Sequence, residues 1–255
     1  MSILYLIIFF ILGSLMGSFF TVLGLRIPKK EDFITTQSHC DRCGHVLKLY
    51  EMIPVVSYLI QKGKCRYCHK KIDLLSTYIE IFTATLFAVA YYSFGFSYEL
   101  LIAIGIVSLL MIVVVTDITY LVIPDEILIF FSIYFIIVQI LNLGIKEALI
   151  SVLSGVFLFC ILYLIMLIGN KVLKKECLGG GDIKMMFIFG LILDPLLGIF
   201  SIFVGSIIAL PISLLLLFKQ NERVIPFGPF LLIGLALIYF TGITSDMILN
   251  FLLLK

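Results

Sequence analysis

The sequence predicts an all-α polytopic membrane protein: about eight transmembrane helices, with one small water-exposed insert between the first and the second. Three observations carry this. Of 255 residues, 62% are hydrophobic and only 13% charged, about half the charge of a soluble domain. Charge-free runs cover 1–25, 81–98, 100–116, 127–145, 148–170, 195–218 and 224–245. Runs of roughly 18 apolar residues can cross a bilayer because a helix satisfies its own backbone in lipid. Basic residues are unevenly placed, with ten of the 18 Lys and Arg between Arg26 and Lys71. Too little polar material is present to cover a soluble enzyme.

The first run lacks a basic leading region and a small-residue cleavage site, so it reads as a retained helix and not a secretory signal. Helices are expected near 2–25, 78–95, 98–116, 127–144, 148–169, 184–194, 195–218 and 227–245. With the amino terminus outside, loops 26–77, 170–184 and 219–223 face the cytoplasm. Sixteen of the 18 basic residues then lie inside, against Lys146 and Lys255 outside, as the positive-inside rule requires. The sixth span is short and interrupted at Asp194-Pro195, which leaves open a half-helix or a hairpin that does not fully cross. Three parts follow: a first transmembrane helix at 1–25, a cytoplasmic four-cysteine insert at 26–77, and a membrane core at 78–255.

Within the insert, Cys40-x-x-Cys43 and Cys65-x-x-Cys68 are separated by 21 residues. Each pair can grip one metal from a tight turn, and the spacing suits a structural zinc held by four thiolates. Gly44 and Gly63 flank the pairs, and the surrounding Lys and Arg favour thiolates. A cytoplasmic insert argues against disulfides. His39, His45 and His69 are alternative ligands that read more simply as solvated loop residues. Cys160, in mid-helix, and Cys177, in a loop, read as bystanders.

Ionisable groups within spans are costly and mark functional sites. Asp117 ends the third span, and Asp182 closes Gly179-Gly180-Gly181-Asp182 just before the sixth hydrophobic segment. Two crossings separate them, so both lie at the cytoplasmic boundary, where packing can bring them together. Two close carboxylates resist losing both protons. One can then activate a water while the other donates a proton, which is aspartyl proteolysis. The glycines allow close substrate approach and unusual dihedrals, and Lys184 can hold local charge or orient a loop. Asp125 and Glu126 compete as acids but read as the start of a helix. Glu99, Asp194 and Asp246 fall on the opposite side and are expected to be solvated. Taken singly, Asp117 and Asp182 are equally read as ordinary helix-end acids.

The ordered set of motifs resembles the prepilin peptidases, the type IV prepilin leader peptidase family of GxGD membrane aspartic proteases. It comprises Gly17-Ser18-Phe19-Phe20-Thr21-Val22, Arg26-Ile27-Pro28, the two Cys-x-x-Cys pairs, Ile53-Pro54, Ser57-Tyr58-Leu59, Tyr78-Ile79-Glu80, Asp117 and Gly179-Gly180-Gly181-Asp182. The resemblance spans nearly the whole chain. It implies a bacterial inner-membrane enzyme whose catalytic residues are Asp117 and Asp182, supported by Gly179, Gly181 and Lys184. Its implied partners are the bilayer and membrane-inserted prepilins or pilin-like proteins of pili, secretion or competence, with no nucleic acid. Such enzymes cut a short basic leader after a glycine at the cytoplasmic face. Many also methylate the new amino terminus with S-adenosylmethionine, an activity the resemblance associates here with Arg26 and Glu80. Thr21 departs from the family's usual Asn.

Two other classes account for some of these residues. An ion-coupled transporter would use intramembrane acids, but it would hold them near the midplane and commonly shows internal repeats; none is visible. A zinc-bearing assembly protein would need the acids only as helix caps. Neutralising the acids separates the three: cleavage, transport or nothing is lost.

Overall fold

The computed structural model describes residues 2–40, 42–174, 179–218 and 226–252. Cys177 and the basic residues Lys175, Lys219, Arg223 and Lys255, used above, lie outside the described residues. The helices are α1 (Ile3–Arg26), α2 (Val56–Ile60), α3 (Leu74–Phe94), α4 (Tyr98–Tyr120), α5 (Asp125–Leu143), α6 (Ile145–Leu173), α7 (Gly180–Ile192), α8 (Pro195–Phe218), α9 (Gly228–Thr241) and α10 (Ser245–Leu252). Among the described residues the only extended pairing is two isolated bridges within the insert, His39 with Val46 and Lys64 with Lys71.

All eight expected segments are helical. Six of them (α1, α3, α4, α5, α6 and α8) are long and apolar enough to cross a membrane. The 13-residue α7 and 14-residue α9 reach about 20 Å each, short of a hydrocarbon core of about 30 Å. The Asp194-Pro195 interruption is a helix junction: Asp194 Oδ1 accepts the Leu197 N–H at 2.9 Å, and Pro195 opens α8, where its missing N–H costs nothing. The last expected helix, 227–245, ends early at Thr241, and a further short helix, α10, follows from Ser245. Gly242 takes φ +66 after Thr241, a left-handed cap that stops α9 and lets α10 begin separately.

The chain forms two compact units, residues 1–96 and 97–255. In the first, α1 lies along α3. A Cβ placed on Gly13 would sit 2.7 Å from the Thr83 carbonyl, and one on Gly17 would sit 2.8 Å from Glu80 Cα. Two glycines four apart therefore let the backbones meet directly, which is how helices associate where lipid removes the hydrophobic drive. Phe9 stacks on Tyr91 at 4.8 Å between ring centroids, and Tyr5 meets Phe96 edge-on.

In the second unit α4 is the central helix: most of it is buried, whereas little of α6 is. The exposed Ile, Leu and Phe side chains of α6 are suited to lipid. Gly190 of α7 passes Gly155 of α6 so closely that a Cβ on Gly190 would lie 2.5 Å from Gly155 Cα. The Gln139 side chain of α5 donates to the Leu191 carbonyl at 3.0 Å, satisfying an acceptor near the carboxyl end of α7.

Gly17→Val is expected to force α1 off α3 and destabilise the first unit by about 1–3 kcal/mol. The thermal unfolding midpoint in detergent reads this out, and an unchanged midpoint would show that the close approach is dispensable.

Candidate functional site

Asp117 occupies the last turn of α4 and is 6% exposed. It does not cap its own helix through its side chain, since the carboxyl end of a helix carries the negative end of the dipole and disfavours an acid. Its main-chain carbonyl takes the Leu121 N–H, with Leu121 in the left-handed conformation at φ 55. Its carboxylate Oδ2 instead accepts the backbone N–H of Gly228 at 3.1 Å, at the amino-terminal start of α9. A second helix, 111 residues further along the chain, thus supplies the donor that α4 cannot.

Asp182 is half-buried in the first turn of α7, after Gly179 as cap. Here a carboxylate is favoured by the helix it belongs to. The helix begins four residues earlier than the sequence suggested, so Gly180 and Gly181 lie in a regular turn behind the extended cap Gly179. Gly179 has φ −66, and none of Gly179, Gly180 and Gly181 has a positive φ. The expectation of unusual dihedrals is therefore corrected. Gly181 is instead a matter of space: a Cβ there would lie 2.9 Å from Ile123 Cβ, whereas one on Gly180 would meet nothing within 4 Å.

Ile123 links the two acids. Its Cδ1 lies 2.9 Å from where a Gly228 Cβ would be, a position itself 3.1 Å from Asp117 Oδ2. One buried side chain thus packs against the glycines beside both aspartates. Both acids sit at the end of this unit where α4 finishes and α5, α7 and α9 start. Lys184, on α7, holds both oxygens of Asp125 at 2.7 Å, so Asp125 is a paired acid at the start of α5. The pair is about half exposed and contributes about 0–1 kcal/mol. Glu126, Glu99, Asp194 and Asp246 are exposed. Sequence reasoning overlooked Ile123 and Gly228. The legible signal for the latter was glycine before Pro229 at the start of an apolar helix.

In the insert, the Sγ atoms of Cys40, Cys43, Cys65 and Cys68 all lie within 4.8 Å of one another. Cys40 and Cys68 are 3.9 Å apart. Four sulfurs about 2.3 Å from one tetrahedral ion lie roughly 3.8 Å apart, so the group fits a metal. The pairs form matching turns: the Gly44 and His69 N–H groups donate to the Cys40 and Cys65 carbonyls at 2.8 and 2.9 Å. Both residues take the left-handed conformation, φ 70 and 53. The backbone N–H groups of Cys68 and then Tyr67 draw the Cys65 thiol down to about 7. Among the described residues the histidines stand outside this group. The His39 ring meets the Gln37 carbonyl, and His45 packs on Tyr67 with its Nε2 3.7 Å from the buried Glu51. Cys160 is exposed on α6.

Arg26 and Glu80 anchor the insert. Arg26 donates to the carbonyls of Thr36 at 2.7 Å, Asp32 and Gln37. The buried Glu80 accepts the Val55 N–H at 2.8 Å and the Ser76 hydroxyl at 3.2 Å. Val55 sits at φ 61, ψ −49, and the Val56 N–H reaches back to the Pro54 carbonyl at 2.6 Å, the rare, strained form of γ-turn. Thr21 is buried and spends its hydroxyl on the Gly17 carbonyl of its own helix. A cavity of about 510 Å³ adjoins the cysteines, lined in part by Arg42, Glu51, Arg66, Tyr67, Lys70 and Asp73.

Fold and site together define a multi-pass helical membrane protein with a metal-fit thiol insert and two acids gathered at one end of a bundle. Residues 11–94 match the Bacterial Peptidase A24 N-terminal domain, and residues 104–214 match the Type IV leader peptidase family. The chain is 34% identical over 250 residues to a "Prepilin leader peptidase/N-methyltransferase" of Bacillus subtilis (strain 168), covering 96% of each. Proteins of the same name from Myxococcus xanthus and Vibrio cholerae are 31% and 27% identical. These alignments cover 81% and 94% of this chain and 63% and 98% of theirs. No solved structure matches. The chain belongs to the type IV leader peptidase family.

His69→Gly is expected to leave the metal content of the purified protein unchanged, since the ring lies outside the sulfur cluster and glycine suits the left-handed turn. Cys65→Ser should lower that content. Metal lost from His69→Gly would count against a four-sulfur site.

Proposed function

We propose that the chain is a membrane-embedded aspartic endopeptidase of the bacterial inner membrane, with Asp117 and Asp182 as its catalytic pair. On this reading it removes the short basic leader from prepilins or pilin-like proteins, cutting after a glycine at the cytoplasmic face. The observation that carries it is the convergence of two acids on Ile123, one of them held by a second helix. An acid in the last turn of α4 has no local stabilising role, so its burial there calls for another explanation.

The chemistry follows from the pairing. Two carboxylates brought close together share a proton more readily than they both ionise. The ionised member takes a proton from a water, and that water attacks the scissile carbonyl. The protonated member donates to the carbonyl oxygen and then to the leaving nitrogen. Gly179 and Gly180 leave the approach to Asp182 uncrowded, while Gly181 seats α7 against Ile123. Lys184, through Asp125, steadies the start of α5. Sixteen basic residues assigned to one side support the cytoplasmic face.

Zinc is the metal best suited to the four thiolates, and it would be structural, because four sulfurs leave no position for water. When bound, it would tie the two turns of the insert together. The relatives' names carry a second activity, that of an N-methyltransferase. The insert cavity favours it: about 510 Å³ falls within the size range of cofactor sites. Its mixed charges and Tyr67 suit a zwitterionic, aromatic donor such as S-adenosylmethionine. Arg26 and Glu80 would serve it by holding the insert's shape.

Asp117→Asn and Asp182→Asn, each shown to be folded, are expected to lose cleavage of a membrane-inserted prepilin-like substrate by at least about a thousandfold. Normal cutting by either would refute the pair. Arg66→Glu should lower transfer of a labelled methyl group about tenfold or more and leave leader removal intact. Unchanged transfer would move the donor elsewhere.

A further inference from the structure

The Asp117 carboxylate is buried at the wrong end of its own helix, and the described contact that answers it comes from Gly228. Two features make that position special. Its backbone N–H points at Oδ2 from 3.1 Å, in the first turn of α9, where N–H groups have no partners within the helix and the dipole favours an anion. Its missing side chain matters equally. A Cβ there would lie 3.1 Å from Asp117 Oδ2, 2.9 Å from Ile123 Cδ1 and 3.2 Å from Val113 Cγ1. Only glycine brings this N–H to the carboxylate without pushing the carboxylate, Ile123 or α4 aside. Pro229 follows directly and pre-sets the helical start.

We infer that Gly228 is a positioning residue of the peptidase: its N–H, at the start of α9, fixes the plane of the Asp117 carboxyl so that the acid faces Asp182 across Ile123. This rests on the two-aspartate reading above. With Oδ2 held, the carboxyl cannot rotate freely about its Cβ–Cγ bond, and the geometry of proton transfer is set before substrate arrives. Misplacing a reacting group by about an ångström costs on the order of a hundredfold in rate. The effect therefore belongs in kcat, while contacts that bind the substrate stay as they were.

The test measures kcat and KM for a membrane-inserted prepilin-like substrate with wild type, Asp117→Asn, Gly228→Ala and the double variant Gly228→Ala/Ile123→Val, with unfolding midpoints in parallel. Valine at 123 removes the Cδ1 that a new Cβ would strike but leaves the 3.1 Å contact with Asp117 Oδ2. Gly228→Ala is expected to lower kcat about 10- to 100-fold with KM within about twofold, and Ile123→Val should not restore it. If Gly228→Ala alone does not fold, the double variant carries the same reading. Wild-type kcat in folded Gly228→Ala, or full recovery in the double variant, with Asp117→Asn inactive, overturns the positioning role and leaves the aspartate pair standing. A folded Asp117→Asn that cuts at the wild-type rate overturns both.

Discussion

A carboxylate sunk into the last turn of the most buried helix of the second unit is unstable unless something answers its charge. Burying an unpaired charge is among the costliest events in a protein interior, and the carboxyl end of α4 adds an unfavourable dipole. The N–H of Gly228 is the answer. Much of the surrounding architecture follows from bringing it there. α9 must start where α4 ends, with Ile123 filling the space between Gly228 and Gly181. The first turn of α7, which carries Asp182, packs on that same side chain through Gly181.

Glycine recurs for one physical reason. In lipid, helices gain little from hiding apolar surface, so attraction depends on close backbone approach. Gly17 against Glu80 in the first unit and Gly190 against Gly155 in the second show it plainly. Beside the acids the same device recurs, since Gly181 and Gly228 let two helix starts close around Ile123. The insert uses another device. Its two turns carry left-handed residues at Gly44 and His69, Arg26 and Glu80 fasten its loops, and the four sulfurs converge without the aid of a large apolar core.

The broad architecture was legible in the sequence because membrane spans declare themselves by composition alone. Long charge-free runs marked seven of the eight expected helices, the short α7 being the exception, and the Cys-x-x-Cys spacing marked four sulfurs that do converge. Helix ends were read less well. α4 runs on past Thr116 to include Asp117, and α7 takes in two of the three glycines. Hydropathy counts apolar residues, whereas a helix continues through polar ones while its hydrogen bonds are met. The early end of α9 at Gly242 turned on a single left-handed residue, which hydropathy does not register.

The sequence by itself determined that the chain is helical and membrane-spanning, that four thiols share one insert, and that Asp117 and Asp182 lie two crossings apart. Those are properties of local composition and spacing, read along the chain. Tertiary structure alone decided what surrounds the acids: a backbone N–H from 111 residues away and one isoleucine wedged between two glycines. It also decided that Lys184 turns to Asp125 and that Gly181 serves packing. A backbone donor has no residue type to betray it, and a space left for a neighbour is visible only once the neighbour is in place.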